Sequence, residues 1–199
     1  MPYPNPFIIG ITGFKRSGKD TVASLIHSQL PKHQFPVVIR RGFADALKQD
    51  VAEILGADLK HLEANKKHPL IRHLFQWYGT DFCRKNSGDD IWIQHMHAFI
   101  ADLDIKTKRY CLIIPDVRFV NEATWVQDND GVVLRVERKG QTSDDPHPSE
   151  QELMHIKHDF RIDNNGESMP RLLWEVRCVL SFIYEKYGHF KATSTSGTK

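Results

Sequence analysis

Residues 10–21 read G-I-T-G-F-K-R-S-G-K-D-T, and the fold of the whole chain turns on how they are read. Counted from Gly13, the stretch follows the phosphate-binding spacing of glycine, four residues, glycine, lysine and a hydroxyl residue. The exception is Asp20, which stands in the hydroxyl position, with Thr21 one place late. In such a loop, small residues let successive backbone N–H groups converge on phosphate oxygens, and the next helix adds its positive N-terminal end. A tight glycine-rich turn with a solvated lysine would show similar letters, so the flanks decide. Before the loop, Phe7–Ile11 is a short apolar run that predicts a buried strand. After it, Val22, Ala23, Leu25, Ile26 and Leu30 recur at helical spacing until Pro31. Strand, loop and helix in that order favour a nucleotide site.

Asp20 is not a neutral replacement. A carboxylate beside a polyphosphate is repelled unless a cation intervenes, so Asp20 and Thr21 are rival magnesium contacts. The plainer role for Asp20 is to stabilise the first turn of the helix.

Outward from the loop, short apolar strands are predicted at 37–41, 109–115, 131–137 and 160–162. Helices are predicted at 45–56, 68–78, 91–103, 119–128 and 169–187. This alternation predicts a three-layer α/β domain with a mainly parallel sheet over residues 1–187. Residues 57–108 are expected to form a helical insertion covering the site. The polar, small-residue segment 188–199 is expected to be a disordered tail.

The chain of 199 residues carries a formal net charge of +2, which gives no sequence-wide basic field for nucleic acid. Cys83, Cys111 and Cys178 are odd in number and widely spaced, which suits thiols in a reducing compartment rather than disulfides or zinc ligands. The N-terminus has no secretory pattern and no apolar run reaches membrane-spanning length, so a cytoplasmic location without membrane partners is expected.

A second constellation ends the strand at 109–115. P-D-V-R at 115–118 puts Asp116 and Arg118 just past a buried strand, where open α/β sheets bind ligands, and Asn121 and Glu122 follow. Asp116 could instead cap the next helix. Paired with the loop at 13–21, Asp116 and Arg118 form a metal-and-phosphate set. Lys48, Arg72, Arg84 and Lys85 are further cations, and phosphoryl transfer needs several because its catalysis is mostly positioning and charge stabilisation. His95, His97, His155 and His158 have metal-compatible spacings but no completing ligand set. Trp77, Tyr78 and Trp92 could stack on a base, although core packing is commoner for aromatics at helical spacing.

Together these segments resemble phage-type deoxynucleoside monophosphate kinases. The resemblance rests on F-K-R-S-G-K-D-T at 14–21, F-A-D-A-L-K at 43–48, R-H-L-F-Q-W-Y-G-T-D at 72–81 and I-I-P-D-V-R-F-V-N-E at 113–122. R-K-G-Q-T-S-D-D-P-H-P-S-E at 138–150 and I-D-N-N-G at 162–166 follow in order. In that family the loop itself reads G-K-D-T, so Asp20 is the family's own form. The resemblance implies a P-loop kinase fold, ATP with magnesium as cofactors, and ATP held by Gly13, Lys15, Arg16, Ser17, Gly18, Lys19, Asp20 and Thr21. It places the acceptor monophosphate among Lys48, Arg72, Gly79, Thr80, Trp92, Asp116, Arg118 and Glu122, with His147 and Glu150 on a loop closing near the site. His73 stands where some relatives have a second arginine, and Arg84 is the candidate replacement. A longer central insertion of some relatives is missing, so whether this chain forms a homodimer stays open.

The expected reaction is transfer of the γ-phosphoryl group of ATP to a deoxynucleoside 5′-monophosphate, with Lys19, Arg72, Asp116 and Arg118 as the catalytic set. Two alternatives share parts of this pattern. One is a phosphomevalonate kinase-like enzyme with a K-x-S-G-K-D loop and a later D-x-R. The other is a nucleotide-binding module without catalysis.

Overall fold

Along β1 (Phe7–Thr12) successive side chains leave on opposite faces, as a pleated strand requires. Phe7, Ile9 and Ile11 join one apolar cluster and Ile8 joins another. The computed structural model describes residues 6–103, 110–141, 147–166 and 168–187. Four further strands flank β1: β2 (Val37–Arg40), β3 (Tyr110–Ile114), β4 (Val132–Glu137) and β5 (Phe160–Asp163). Their order is β2-β3-β1-β4-β5, and every pairing is parallel.

One face of the sheet is covered by α1 (Lys19–Gln29) and α9 (Met169–Tyr187) through Val22, Ile26, Leu172, Val176, Leu180 and Ile183. The other is covered by α2 (Ala44–Leu55), α6 (Ile91–Asp102) and α7 (Val120–Asp128) through Leu47, Trp92, Met96 and Val126. A sheet apolar on both faces must be buried on both, which produces the three-layer α/β fold expected from the alternation of elements.

Residues 57–103 are helical where they have regular structure, in α3 (Leu59–Ala64), α4 (Pro69–Gln76), α5 (Lys85–Ser87) and α6. The sequence pattern ends a helix near Tyr78. The structure instead continues from α4 into a π-helical segment, Trp77–Arg84, and on through α5 to Gly88. The wider turn of a π-helix breaks the 3.6-residue spacing, so a periodicity template loses the helix there. The expectation for 188–199 lies outside the described residues. Among the described residues, no helix is long and apolar enough to cross a membrane.

The strand order sets the position of the site. Because β1 and β3 are neighbours, the loops after both open at the same edge of the sheet. They are also bonded, since the Val117 N–H donates to the Ile11 carbonyl at 3.1 Å.

Candidate active site

The loop between β1 and α1 turns through Arg16 (φ 66°) and Gly18 (φ 96°). The Ser17 N–H donates back to the Phe14 carbonyl at 3.1 Å. Lys19, at the first position of α1, folds its ammonium across the loop and donates to the carbonyls of Gly13 (2.6 Å) and Phe14 (2.9 Å). Burial, aided by the positive charge of Arg118, lowers the Lys19 pKa to about 8, against the pull of Glu150, Asp20 and Asp116. A cation disfavoured in this way is stabilised by an arriving anion. Ser17 is buried, and its Oγ has no hydrogen-bond partner among the described residues. An orphaned hydroxyl, a desolvated ammonium and a left-handed glycine suit a polyphosphate. Lys15 and Arg16 are exposed.

The metal expectation fares differently for its two residues. The Asp20 carboxylate is exposed and ion-paired with Arg40 at the end of β2, so its charge is already partnered. Thr21 is half-buried in the first turn of α1. Among the described residues no group of three or more His, Cys, Asp or Glu side chains could hold a metal ion. Magnesium does not need one, because it is commonly held by substrate phosphates, waters and one or two protein groups. His97, with its metal-compatible spacing to His95, accepts instead from the Trp125 indole N–H at 2.8 Å.

Asp116 does not cap the helix that follows it. Its Oδ1 and Oδ2 accept from the Phe43 and Ala44 N–H groups, each at 2.9 Å, so it closes the N-terminus of α2 from across the sheet edge. The approach is so close that a Cβ at Gly42 would lie 2.5 Å from Oδ2. Burial and then Asp45 raise the Asp116 pKa, while the Ala44 N–H, Lys48 and Arg118 oppose the rise. Lys48 is likewise engaged, with Asp45 and Glu63 each at 3.0 Å. Burial pulls its pKa down, yet these acidic neighbours and Asp116 leave it raised overall.

The cap of α7 is Glu122. From the third helical position its Oε2 accepts from the N–H groups of Arg118 (2.8 Å) and Phe119 (3.2 Å), and its Oε1 meets Arg84 at 2.7 Å. Burial pushes the carboxyl up to about 7, against the pull of Arg84 and the two N–H donors. Arg84, the candidate replacement for an arginine at 73, is therefore committed elsewhere. It is buried, bonded to Glu122, and its guanidinium lies 3.6 Å from the centroid of the Phe119 ring. His73 is exposed.

Trp92 is corrected in the same way. It is buried, and its indole N–H donates to the Gly79 carbonyl at 3.0 Å, so it supports the π-helical segment from beneath. Gly79 packs against Leu47, and Thr80 beside it is half-buried.

Two predicted arginines do converge. Glu150 is buried on α8 (Pro148–Gln151), and its Oε1 lies 3.1 Å from Arg118 and 3.7 Å from Arg72. Both arginines keep partial solvent access. The charges of Arg118 and Glu150 both bear on the Lys19 ammonium, which puts these two residues near the loop after β1. His147 shapes the start of α8, where its Nδ1 accepts from the Ser149 N–H at 3.2 Å. The sequence reading missed Arg40, Asn164 and the Arg84–Glu122 pair. Only Asn164 had a signal, its place in the I-D-N-N-G block.

The family model for deoxynucleotide monophosphate kinase matches residues 49–172. A protein of Acanthamoeba polyphaga mimivirus, provisionally assigned as a deoxynucleotide monophosphate kinase, is 32% identical over 176 residues. The match covers 79% of this chain and 88% of that one. Among solved structures, a gluconokinase from Sinorhizobium meliloti aligns at a TM-score of 0.48 and 13% identity, covering 92% of this chain and 97% of its own. The APS kinase of Mycobacterium tuberculosis aligns at 0.45 and 14%, covering 89% and 99%.

Proposed function

The chain belongs to the deoxynucleotide monophosphate kinase family, and from that premise we propose that it transfers the γ-phosphoryl group of ATP to deoxynucleoside 5′-monophosphates. An oxygen of the acceptor phosphate bonds to the γ-phosphorus as the bond to the β–γ bridging oxygen breaks, giving ADP and the diphosphate. With a second phosphate pKa of about 6, the acceptor is largely ionised at neutral pH and needs no strong general base. The chemistry then reduces to aligning two anions that repel each other.

The observation that carries this reading is geometric. Lys19 lies folded into the loop after β1, and on the loop after β3 Arg118 follows Val117, whose N–H donates to the Ile11 carbonyl of β1. One cation belongs to a loop suited to a polyphosphate. The other is paired through Glu150 with Arg72, and both arginines are partly open to solvent. Lys19 binds the β- and γ-oxygens of the donor, with Gly13 and residues 15–21 forming its cradle. Arg72 and Arg118 hold the acceptor phosphate, and Glu150 orients them. Asp116, Glu122 and Lys48 act behind this line by fixing α2 and the turn at 118–119. Gly79 and Thr80, braced by Trp92, form the wall on the side of the π-helical segment. Thr21, or Asp20 through a water, would hold a magnesium ion bound with the nucleotide, which would supply charge neutralisation to its phosphates.

The test is phosphoryl transfer from ATP, followed as ADP release, across the deoxy- and ribonucleoside monophosphates, with phosphomevalonate as a competing acceptor. Transfer to one or more deoxynucleotides is the expected result. Transfer to phosphomevalonate alone, or to no acceptor despite ATP binding, overturns the proposal.

A further inference from the structure

One side chain joins the turn after β5 to the phosphate loop. Asn164 Nδ2 donates to the Ser17 carbonyl at 2.7 Å across 147 residues of sequence. The turn that carries it is tied to the end of β4. The Asn164 N–H donates to the Glu137 carbonyl at 2.8 Å, and the Asn165 side chain accepts from the Lys139 N–H at 2.7 Å. The amide of Asn164 therefore projects from a fixed base.

A trans peptide points its carbonyl and its N–H in opposite directions, and the described residues contain no cis peptide. Holding the Ser17 carbonyl on Asn164 thus aims the Gly18 N–H away from β5. No described residue accepts from that N–H. If the peptide were reversed, the Ser17 carbonyl would face the anion and repel it. Gly18 itself fits this arrangement, since a Cβ there would run into Asn164 Nδ2.

We propose that Asn164 is a positioning residue for the donor phosphates: it locks the Ser17–Gly18 peptide so that the Gly18 N–H is presented to the polyphosphate. The inference rests on the reading of residues 13–21 as the ATP loop. Nothing in the loop's own sequence does this, because a glycine-containing peptide can flip at little cost.

Two readouts test it on the full chain. In the first, the Gly18 amide resonance of ¹⁵N-glycine-labelled protein is followed as Mg-ADP is added. It shifts in the native protein and stays in place in Asn164→Asp, which keeps the size of the side chain but replaces the donor with a carboxylate facing a carbonyl. In the second, Asn164→Ala raises the KM for ATP about tenfold, as expected for one lost hydrogen bond to a binding element, and Asn164→Asp raises it further. The KM for the monophosphate acceptor stays within about twofold. An unaltered ATP KM in Asn164→Asp overturns the proposal, as does an equal rise in both KM values, which would mark a merely structural role. A native protein whose Gly18 amide ignores Mg-ADP overturns the reading of the loop instead.

Discussion

Arg84 and Glu122 form a salt bridge of 2.7 Å in which the side chains are only 5% and 3% exposed. It fastens the π-helical segment to the N-terminus of α7, because the same carboxylate caps that helix through the Arg118 and Phe119 N–H groups. Removing one partner of a buried pair typically costs about 3–5 kcal/mol, because the other is left uncompensated. Arg84→Met is expected to lose about that much stability at pH 7.5, measured by denaturant unfolding. The loss should shrink on acidification. Burial already raises Glu122 above its ordinary 4.5, and without Arg84 it rises further. Below about pH 7 the Glu122 carboxyl is protonated in both folded proteins and the deficit is level. Above it the native pair ionises while the folded variant keeps its proton, so the deficit grows as pH rises from about 7. A deficit that does not vary with pH would count against a charged pair.

Lys19 links pH to nucleotide binding. Its folded pKa, about 8, lies below the ordinary 10.5, so between those values the unfolded chain holds more protons and the free protein gains stability as pH rises. A bound triphosphate raises the Lys19 pKa again. Binding above pH 8 should therefore take up protons, and affinity should fall as pH rises, whereas below pH 8 this group adds no dependence. Calorimetry in buffers of different ionisation enthalpy reads the uptake directly. Lys19→Met should abolish the uptake and lower kcat by about two to three orders of magnitude or more, with the melting temperature unchanged or raised.

Glu150 holds two arginines with one oxygen. Glu150→Gln should loosen Arg72 and Arg118 together and raise the KM for the monophosphate about tenfold, on the scale of one charge-assisted hydrogen bond. The ATP KM should not rise, because losing the Glu150 charge removes an attraction that competes for the Lys19 ammonium. A rise in the ATP KM instead would place Glu150 on the donor side.

Asp20 is 75% exposed and paired with Arg40. Asp20→Asn should therefore change stability by less than about 1 kcal/mol. Because its carboxylate is already engaged, Thr21→Ala should raise the magnesium concentration needed for half-maximal activity more than Asp20→Asn does. A magnesium titration of the two variants decides between them, and the reverse order would assign the metal contact to Asp20.

Local chemistry was enough for the strand–loop–helix at 7–29 and for the alternation of elements that makes the sheet parallel. Strand and helix periodicities, and the glycines and lysine of a phosphate loop, are carried by residues close together in the chain. The convergence of Arg72 and Arg118 was legible only as two motifs in the right order, and Glu150 as a matching letter. The roles of Asp116, Glu122 and Asn164 needed the tertiary structure. Apart from the Arg118 and Phe119 N–H groups that Glu122 caps locally, the partners that define these roles stand 73, 38 and 147 residues away, at Phe43, Arg84 and Ser17. A carboxylate or amide accepts many partners equally well, and nothing local to it selects one. The strand order β2-β3-β1-β4-β5 brings the loops after β1, β2, β3 and β5 to one edge of the sheet and so selects the partners of Asp116 and Asn164, while the packing of the π-helical segment selects that of Glu122.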